Sequence, residues 1–291
     1  MRQRIITAIF FGAAMIAGVY GGSLCCFCLF FLIAAGCLWE FMGLLLPAGE
    51  SFIKARRIIG VVTGLIPFLP FRYILSYDAC GHTMEAERIA GYWYAHEEAL
   101  VVTVALVIFA SLLLTIVELF LAGKSPFAYI GYYLAGLFYI GLPIALLFSI
   151  ATVGSSYYHP NRVFGLLLLV WSNDTVAYFV GSKFGRTKLF ERISPKKTWE
   201  GTIGGGIGAV LMAWGLSLVF PDFSTPQWLA LGVVAAVFGT LGDLVESMLK
   251  RSVGVKDSGN LLPGHGGLLD RFDAFIFMIP FAWLALMIFS S

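Results

Sequence analysis

Residues 239–273, reading GTLGDLVESMLKRSVGVKDSGNLLPGHGGLLDRFD, are a polar stretch between two long apolar runs. Asp243 and Glu246 stand three residues apart before the loop, so a helix places them on one face. Asp270 and Asp273 repeat this spacing after the loop, where the last apolar run begins. The stretch therefore predicts two acidic helix ends that converge and are joined by a glycine-rich loop.

Cations and hydroxyl groups stand between these acids. Lys250, Arg251 and Lys256 are suited to holding phosphate groups by charge and hydrogen bonding, and Ser247 shares the helix face of Asp243. Carboxylates beside cations, with glycines that allow close backbone approach, suit Mg²⁺-assisted chemistry on a nucleoside triphosphate. The alternative is a loop whose charges only keep it in water. Solvation alone does not require four acids at membrane depth.

The composition predicts an all-α, polytopic integral membrane protein. Of the 291 residues, 59% are hydrophobic and 12% are charged, and the mean hydropathy is +0.87. Soluble domains carry about 25% charged residues. The sequence has no basic stripe interleaved with aromatic residues, so nucleic acid is not an expected partner. It also lacks the G-x-x-x-x-G-K-[ST] pattern, which excludes a P-loop nucleotide site.

Apolar runs of the length that crosses the hydrocarbon core as helices recur along the chain. Nine such runs are predicted, at about 5–21, 23–46, 58–76, 100–121, 126–150, 163–180, 203–220, 227–245 and 272–290. Gly21 and Gly22 separate the first two runs, which predicts an antiparallel helical hairpin.

The distribution of basic residues predicts the orientation. With the N-terminus in the cytoplasm, sixteen of the 19 Lys and Arg residues fall on the cytoplasmic side, and Arg72, Arg88 and Arg162 remain on the other. The prediction is therefore N-in and C-out. The two long basic loops, 181–202 and 246–271, then face the cytoplasm, where nucleotides are found.

Further polar groups are predicted at membrane depth. Asn173 and Asp174 lie inside the sixth run, where an ionisable residue is costly and usually marks a site or an ion. A structural hydrogen bond between helices is the alternative. Lys196 and Lys197, in the basic loop that follows, suit phosphates or lipid headgroups, or else only set the topology.

Two features of the sequence concern the helices themselves. Glu40 and Glu118 lie near the cytoplasmic ends of their runs, where we expect them to snorkel towards water or, alternatively, to face the site. Gly201 and Gly205 open the seventh run with small residues four apart, a spacing typical of close helix packing.

Two blocks of the sequence resemble a known family. From Ser247 to Asp273, SMLKRSVGVKDSGNLLPGHGGLLDRFD is similar over 27 residues without a gap to the signature of phosphatidate cytidylyltransferases, or CDP-diacylglycerol synthases. A second block, SNDTVAY at 172–178 followed by SPKKTWEG at 194–201, also resembles that family. The resemblance covers the chain but is detailed only in the C-terminal half, and the insert at 77–99 matches no pattern of the family.

The resemblance implies transfer of CMP from CTP to phosphatidate, giving CDP-diacylglycerol and pyrophosphate. It implies Mg²⁺ as cofactor with K⁺ as a second cation, a homodimer, and a bacterial inner membrane location with the active site facing the cytoplasm. It also implies a single membrane-embedded domain, 1–291, in which the helices of about 1–150 are a scaffold and 163–291 is the catalytic half.

The resemblance also assigns roles. The metal ligands, or partners of those ligands, are expected to be carboxylates: Asp243, Asp270, Glu246 and Asp273. The CTP phosphates and the phosphatidate headgroup are expected to be bound by cations and hydroxyl groups: Lys250, Arg251, Lys256, Arg271 and Ser247. Asn173 and Asp174 line the polar cavity, and Lys196 and Lys197 its rim. His265 either donates a proton to pyrophosphate or makes a structural hydrogen bond.

Two other functions fit parts of the pattern. A CTP-dependent lipid kinase of the polyprenol or phytol type would transfer the γ-phosphate to an alcohol, but the 27-residue match argues against it. A transporter of anions or lipids would use Asp174 and the basic cavity, but transporters often show repeated halves and this sequence shows no such repeat.

Overall fold

The computed structural model describes residues 2–47, 49–69, 85–121, 123–153, 155, 157–261 and 266–290, and most of them are helical. The helices are α1 Arg2–Tyr20, α2 Ser23–Leu45, α3 Ile53–Leu65, α4 Glu85–Leu121, α5 Pro126–Gly136, α6 Leu142–Thr152, α7 Pro160–Phe184, α8 Trp199–Val219, α9 Thr225–Val234, α10 Thr240–Ser252 and α11 Leu269–Ser290. A π-helical turn joins α5 to α6, and another, Ala235–Gly239, joins α9 to α10.

Seven helices within the described residues are long and apolar enough to cross a membrane. They are Ser23–Leu45, Val104–Leu121, Pro126–Thr152, Pro160–Phe184, Trp199–Val219, Thr225–Ser252 and Leu269–Phe289. Each corresponds to one of the nine predicted runs, so an all-α membrane protein is confirmed. The first run forms the shorter apolar helix Ile9–Tyr20, and the third continues from α3 into residues outside the described part of the chain.

The chain divides into two compact units. The first unit comprises residues 1–148, 152–158 and 258–269. Its interior includes an aromatic cluster in which Phe27 lies 5.8 Å from Phe68 and 5.4 Å from Phe148, measured between ring centroids. Offset and edge-to-face pairs at these distances stabilise an apolar core beyond the area they bury.

A buried ion pair also lies in the first unit. Arg56 is fully buried and donates to Glu118 Oε1 at 2.6 Å, while Tyr133 donates to the same oxygen at 2.8 Å. The Nε of Arg56 donates to the backbone oxygen of Ser51 at 3.1 Å. Glu118 is 2% exposed and Glu40 is 4% exposed, so the expectation that these acids snorkel towards water is wrong. The paired arginine supplies the hydrogen bonds that Glu118 would otherwise need from water.

The second unit comprises residues 149–151, 159–257 and 270–291 and therefore holds α7 to α10 and most of α11. Its basic loop contains two short antiparallel strands, β1 Lys188–Phe190 and β2 Ser194–Thr198, which the sequence reasoning did not predict. Thr198 then caps α8 by accepting a hydrogen bond from the amide of Gly201 at 3.2 Å. Because α8 begins at the end of β2, the hairpin is fixed to the start of this helix.

The small residues of α8 pack against α7, as their spacing predicts. A Cβ added to Gly205 would lie 2.7 Å from the backbone oxygen of Asn173 and 2.8 Å from Cβ of Ala177. One added to Gly208 would lie 2.7 Å from Cγ2 of Val176. Only glycine at these positions lets α8 lie this close to α7, the helix that carries Asn173.

Candidate active site

Acids and a lysine follow one face of α10, because residues three, four and seven apart on a helix lie above one another. Ser247 donates to Oδ1 of Asp243 at 3.2 Å, and Lys250 is paired with Glu246 one turn earlier. Glu246 is fully buried and Lys250 is 8% exposed. The face of α10 that the sequence predicts as a site is therefore turned inward and is held together by its own charges.

Lys250 connects two separate helices. Its Nζ donates to Oδ1 of Asp270 at 2.5 Å while remaining paired with Glu246. Asp270 stands in the first turn of α11, and α10 extends to Ser252, so Lys250 lies on a helix and not in the predicted loop. The two acidic helix ends converge, as the spacing predicts, and the lysine supplies their common counter-ion.

The β-hairpin supplies a second cation. Nζ of Lys197 lies 2.7 Å from Oδ2 of Asp243. Lys196, its neighbour in β2, is exposed, because successive side chains of a strand point in opposite directions. Of the two lysines predicted at the rim, Lys197 reaches the acidic face of α10.

Asp273 is buried one turn after Asp270. Its side chain experiences the negative charges of Asp243, Glu246 and Asp174. Its Oδ1 accepts a hydrogen bond from the backbone amide of Ala274 at 2.7 Å. Burying carboxylates together is unfavourable unless cations or donors accompany them, so this cluster favours binding of positive charge.

Asn173 on α7 faces the same cluster. Its Nδ2 lies 3.5 Å from Oδ1 of Asp174 and 3.5 Å from Oγ1 of Thr240. The residue is buried, whereas Asp174 remains exposed. Thr240 was missed by the sequence reasoning, although its position three residues before Asp243 on the same helix face was the available signal.

The other predicted cations of this region lie at exposed positions. Arg251 is exposed and donates to the backbone oxygen of Val255 at 2.8 Å. Lys256 and Arg271 are also exposed. His265 lies outside the described residues.

The donor chemistry of the cluster fits a hard divalent cation such as Mg²⁺, which prefers carboxylate and amide oxygens. Oδ1 of Asn173 and both carboxylate oxygens of Glu246 are buried without a hydrogen-bond partner, although Glu246 is paired with Lys250 by charge. Within the described part of the chain, no three His, Cys, Asp or Glu side chains stand close enough together to enclose an ion. The oxygens are thus of the kind that binds Mg²⁺. In this structure Lys197 and Lys250 neutralise the carboxylates with which they pair.

Comparisons with known proteins identify the family to which the chain is related. Residues 2–289 match the model of the cytidylyltransferase family. The chain is 33% identical over 292 residues to a phosphatidate cytidylyltransferase of Bacillus subtilis, covering 100% of this chain and 99% of that protein.

Two staphylococcal proteins of the same name match over shorter regions. The Staphylococcus aureus protein is 47% identical over 144 residues, which are 46% of this chain and 55% of that protein. The Staphylococcus saprophyticus protein is 41% identical over 161 residues, 54% of this chain and 60% of that protein. Since the family model spans nearly every residue, the chain belongs to the cytidylyltransferase family.

Proposed function

We propose that this protein transfers CMP from CTP to phosphatidate, giving CDP-diacylglycerol and pyrophosphate. The observation that carries the proposal is the bridge from Lys250 to Glu246 and Asp270, because Lys250 and Asp270 belong to the segment that resembles the family signature and Glu246 directly precedes it. The full-length similarity to a phosphatidate cytidylyltransferase supports the same reaction and does not favour the lipid kinase. It does not favour the transporter either.

The reaction needs little from a catalytic base. The phosphomonoester of phosphatidate is already an anionic nucleophile at neutral pH. One of its oxygens attacks the α-phosphorus of CTP, and the bond from that phosphorus to the β-phosphate oxygen breaks, releasing pyrophosphate. The difficulty is to bring two polyanions together, and fixed cations reduce it by neutralising and aligning them.

The side chains of the cluster divide this work. Lys197 neutralises Asp243, and Lys250 neutralises Glu246 and Asp270. Both lysines are proposed to exchange these carboxylates for substrate phosphates. The exposed cations of the same region are proposed to collect the triphosphate and the lipid headgroup: Arg251, Lys256, Arg271 and Lys196. His265 is proposed to contact phosphate. Ser247 orients Asp243 through its hydrogen bond.

Mg²⁺ is the proposed cofactor, with K⁺ as a second cation. The residues that would hold them are Asp243, Asp270, Glu246 and Asp273, together with the amide oxygen of Asn173. When bound, the metal neutralises the triphosphate and the leaving pyrophosphate. The protein's own part is to bury Glu246 and Asp273, because the attraction of a buried carboxylate for a cation is strong.

We further propose nine spans with the N-terminus in the cytoplasm, a homodimer, and a bacterial inner membrane location with the site facing the cytoplasm. A cysteine at exposed Lys188 should react with a membrane-impermeant maleimide in inverted vesicles. A cysteine at exposed Tyr157 should react only in right-side-out vesicles, with the parent chain as background. The opposite pattern would reverse the orientation.

The function is tested with purified protein, phosphatidate, Mg²⁺ and CTP labelled at the α-phosphate. Label should enter the lipid fraction with release of pyrophosphate, and Asp270→Asn should abolish this transfer. Entry of γ-label alone would establish the lipid kinase. If neither label enters lipid and labelled substrate crosses a vesicle unaltered, the protein is a transporter.

A further inference from the structure

Glu40, a buried acid of α2, contacts both ends of the segment 258–269 within the first unit. This segment, here called the signature loop, includes the glycines of the motif and is described at 258–261 and 266–269. Glu40 lies more than two hundred positions earlier in the chain and belongs to neither block that resembles the family. Its contacts are therefore unexplained by the motif itself.

Both contacts converge on one oxygen. Oε2 of Glu40 accepts a hydrogen bond from Oγ of Ser258 at 3.0 Å and from the backbone amide of Leu269 at 2.9 Å. Ser258 is the first residue of the signature loop and Leu269 is the last. A single carboxylate oxygen thus draws the two ends of the loop together.

Two glycines of the motif, Gly259 and Gly267, lie close to the same carboxylate. A Cβ added to Gly259 would lie 2.6 Å from Cδ of Glu40, and one added to Gly267 would lie 2.6 Å from Oε2. Larger residues would therefore push the loop off the acid from either side. Gly36, one helical turn before Glu40, also lies close to the signature loop. A Cβ added to Gly36 would lie 2.6 Å from Cδ2 of Leu268.

The hydrogen bond to Leu269 has a particular consequence. Leu269 is the first residue of α11, and the first amides of a helix have no partner within the helix. A carboxylate satisfies such an amide and interacts favourably with the positive end of the helix dipole. The next residue in the chain is Asp270, and the residue before Ser258 is Asp257, so both flanks of the clamped loop are motif residues.

We infer that Glu40 is a positioning residue that clamps the two ends of the signature loop, through Ser258 and the amide of Leu269, into the form needed for cytidylyl transfer. The expected effect of Glu40 on turnover rests on the proposed function. The expected effect of Glu40 on the structure of the loop is independent of that function.

Three variants isolate the clamp. Glu40→Leu keeps the approximate volume but removes the acceptor, whereas Glu40→Gln keeps a carbonyl oxygen that accepts from the same two donors. Ser258→Ala removes only one of the two donors. It replaces Glu40→Leu in the experiment if Glu40→Leu does not fold. Leu38→Val is the matched control, since Leu38 is fully buried on the same helix and lies beside Gly64 and Gly136.

Amide hydrogen exchange in the intact protein measures directly how far Glu40 protects the ends of the signature loop from opening. Exchange at 258–261 and 266–269 should rise about tenfold or more in Glu40→Leu, because each lost hydrogen bond shifts local opening by about that factor. Ser258→Ala should give a smaller rise, and its effect should not add to that of Glu40→Leu. Glu40→Gln and Leu38→Val should leave exchange in the loop unchanged.

Steady-state kinetics then test the link to catalysis. Glu40→Leu should lower kcat/KM for CTP by about 10- to 100-fold, as small displacements of positioning groups do. In Glu40→Gln, kcat/KM should stay within about threefold of the wild-type value, because positioning depends on the acceptor oxygen. A factor of three is less than the contribution of one net hydrogen bond.

The inference would be overturned if amide exchange in Glu40→Leu were unchanged, or if Glu40→Gln lowered kcat/KM as much as Glu40→Leu does. A wild-type protein that makes no CDP-diacylglycerol would overturn the proposed function instead, while exchange would still decide the role of Glu40.

Discussion

Lys250 donates through Nζ to Oδ1 of Asp270 at 2.5 Å, although twenty positions separate the two residues in the chain. The same ammonium group pairs with Glu246, which is fully buried. One lysine thus neutralises acids from the ends of two membrane-spanning helices. Burying this set of charges is tolerable only because each acid has a cationic partner.

Removing the ammonium group should therefore destabilise the protein as well as inactivate it. Lys250→Met leaves Glu246 and Asp270 close together without their cation, and breaking a buried pair in this way costs about 3–5 kcal/mol. Unfolding by denaturant in detergent measures the loss. Lys54→Met, at an exposed position, should change the free energy of unfolding by less than about 0.5 kcal/mol.

A second substitution checks the cause of that loss. Glu246→Gln added to Lys250→Met should recover part of the stability, because it removes one of the two uncompensated charges. Activity should not return. Equal stability of Lys250→Met and wild type would show that the pair contributes nothing to folding.

Lys197 and Lys196 form a matched pair for catalysis. Only Lys197 reaches Asp243, at 2.7 Å, whereas Lys196 is exposed. Lys197→Gln should lower kcat/KM for CTP by about 10- to 100-fold, the equivalent of one charge-assisted hydrogen bond. Lys196→Gln should lower it by less than about threefold at moderate salt, because an exposed charge is screened. Equal losses would show that both lysines act only through their net charge.

Two glycines of α8 allow the helix packing to be tested within one helix. Gly205→Ala would place a methyl group 2.7 Å from the backbone oxygen of Asn173, whereas nothing lies within 4 Å at Gly215. Gly205→Ala should destabilise the protein by about 1–3 kcal/mol through overpacking. Gly215→Ala should be neutral or stabilise it by up to about 1 kcal/mol through helix propensity. Thermal unfolding with both variants in one detergent makes the comparison, and a stable Gly205→Ala would contradict the close packing of α7 and α8.

The activity is expected to depend on Mg²⁺, and the affinity for Mg²⁺ is expected to depend on the carboxylates of the cluster. Chelation should abolish transfer of CMP, and Mg²⁺ should restore it. Asp243→Asn and Asp273→Asn should raise the Mg²⁺ concentration needed for half-maximal rate, because each removes an anionic oxygen that a hard cation prefers. Mg²⁺-dependent protection against thermal unfolding gives a readout that does not depend on turnover. Full activity after chelation would exclude the metal.

The sequence predicted the parts of this molecule that follow from local patterns. Seven apolar runs became spanning helices because an apolar segment of sufficient length has no other favourable state in the bilayer. The spacing of Asp243, Glu246 and Ser247 gave their common face for a similar reason, since helical periodicity alone decides it.

What the sequence did not predict depends on distant partners. Arg56 and Glu118 pair across sixty-two positions, and no local pattern indicates such a pair. The same holds for Glu40 and the signature loop. The strands β1 and β2 were missed because a short basic segment, KLF followed by SPKKT, has neither the length nor the alternation typical of a strand.

The clamp on the signature loop also affects how the protein is made. Glu40 leaves the ribosome more than two hundred residues before Ser258 and Leu269, the two groups that it binds. The helix that carries it is thus inserted while the C-terminal half is still to be synthesised. Ser258 and Leu269 therefore find their hydrogen-bond acceptor on a helix that was synthesised long before them. The C-terminal half carries almost all of the recognisable motif, yet the acceptor that holds both ends of the signature loop comes from the N-terminal half.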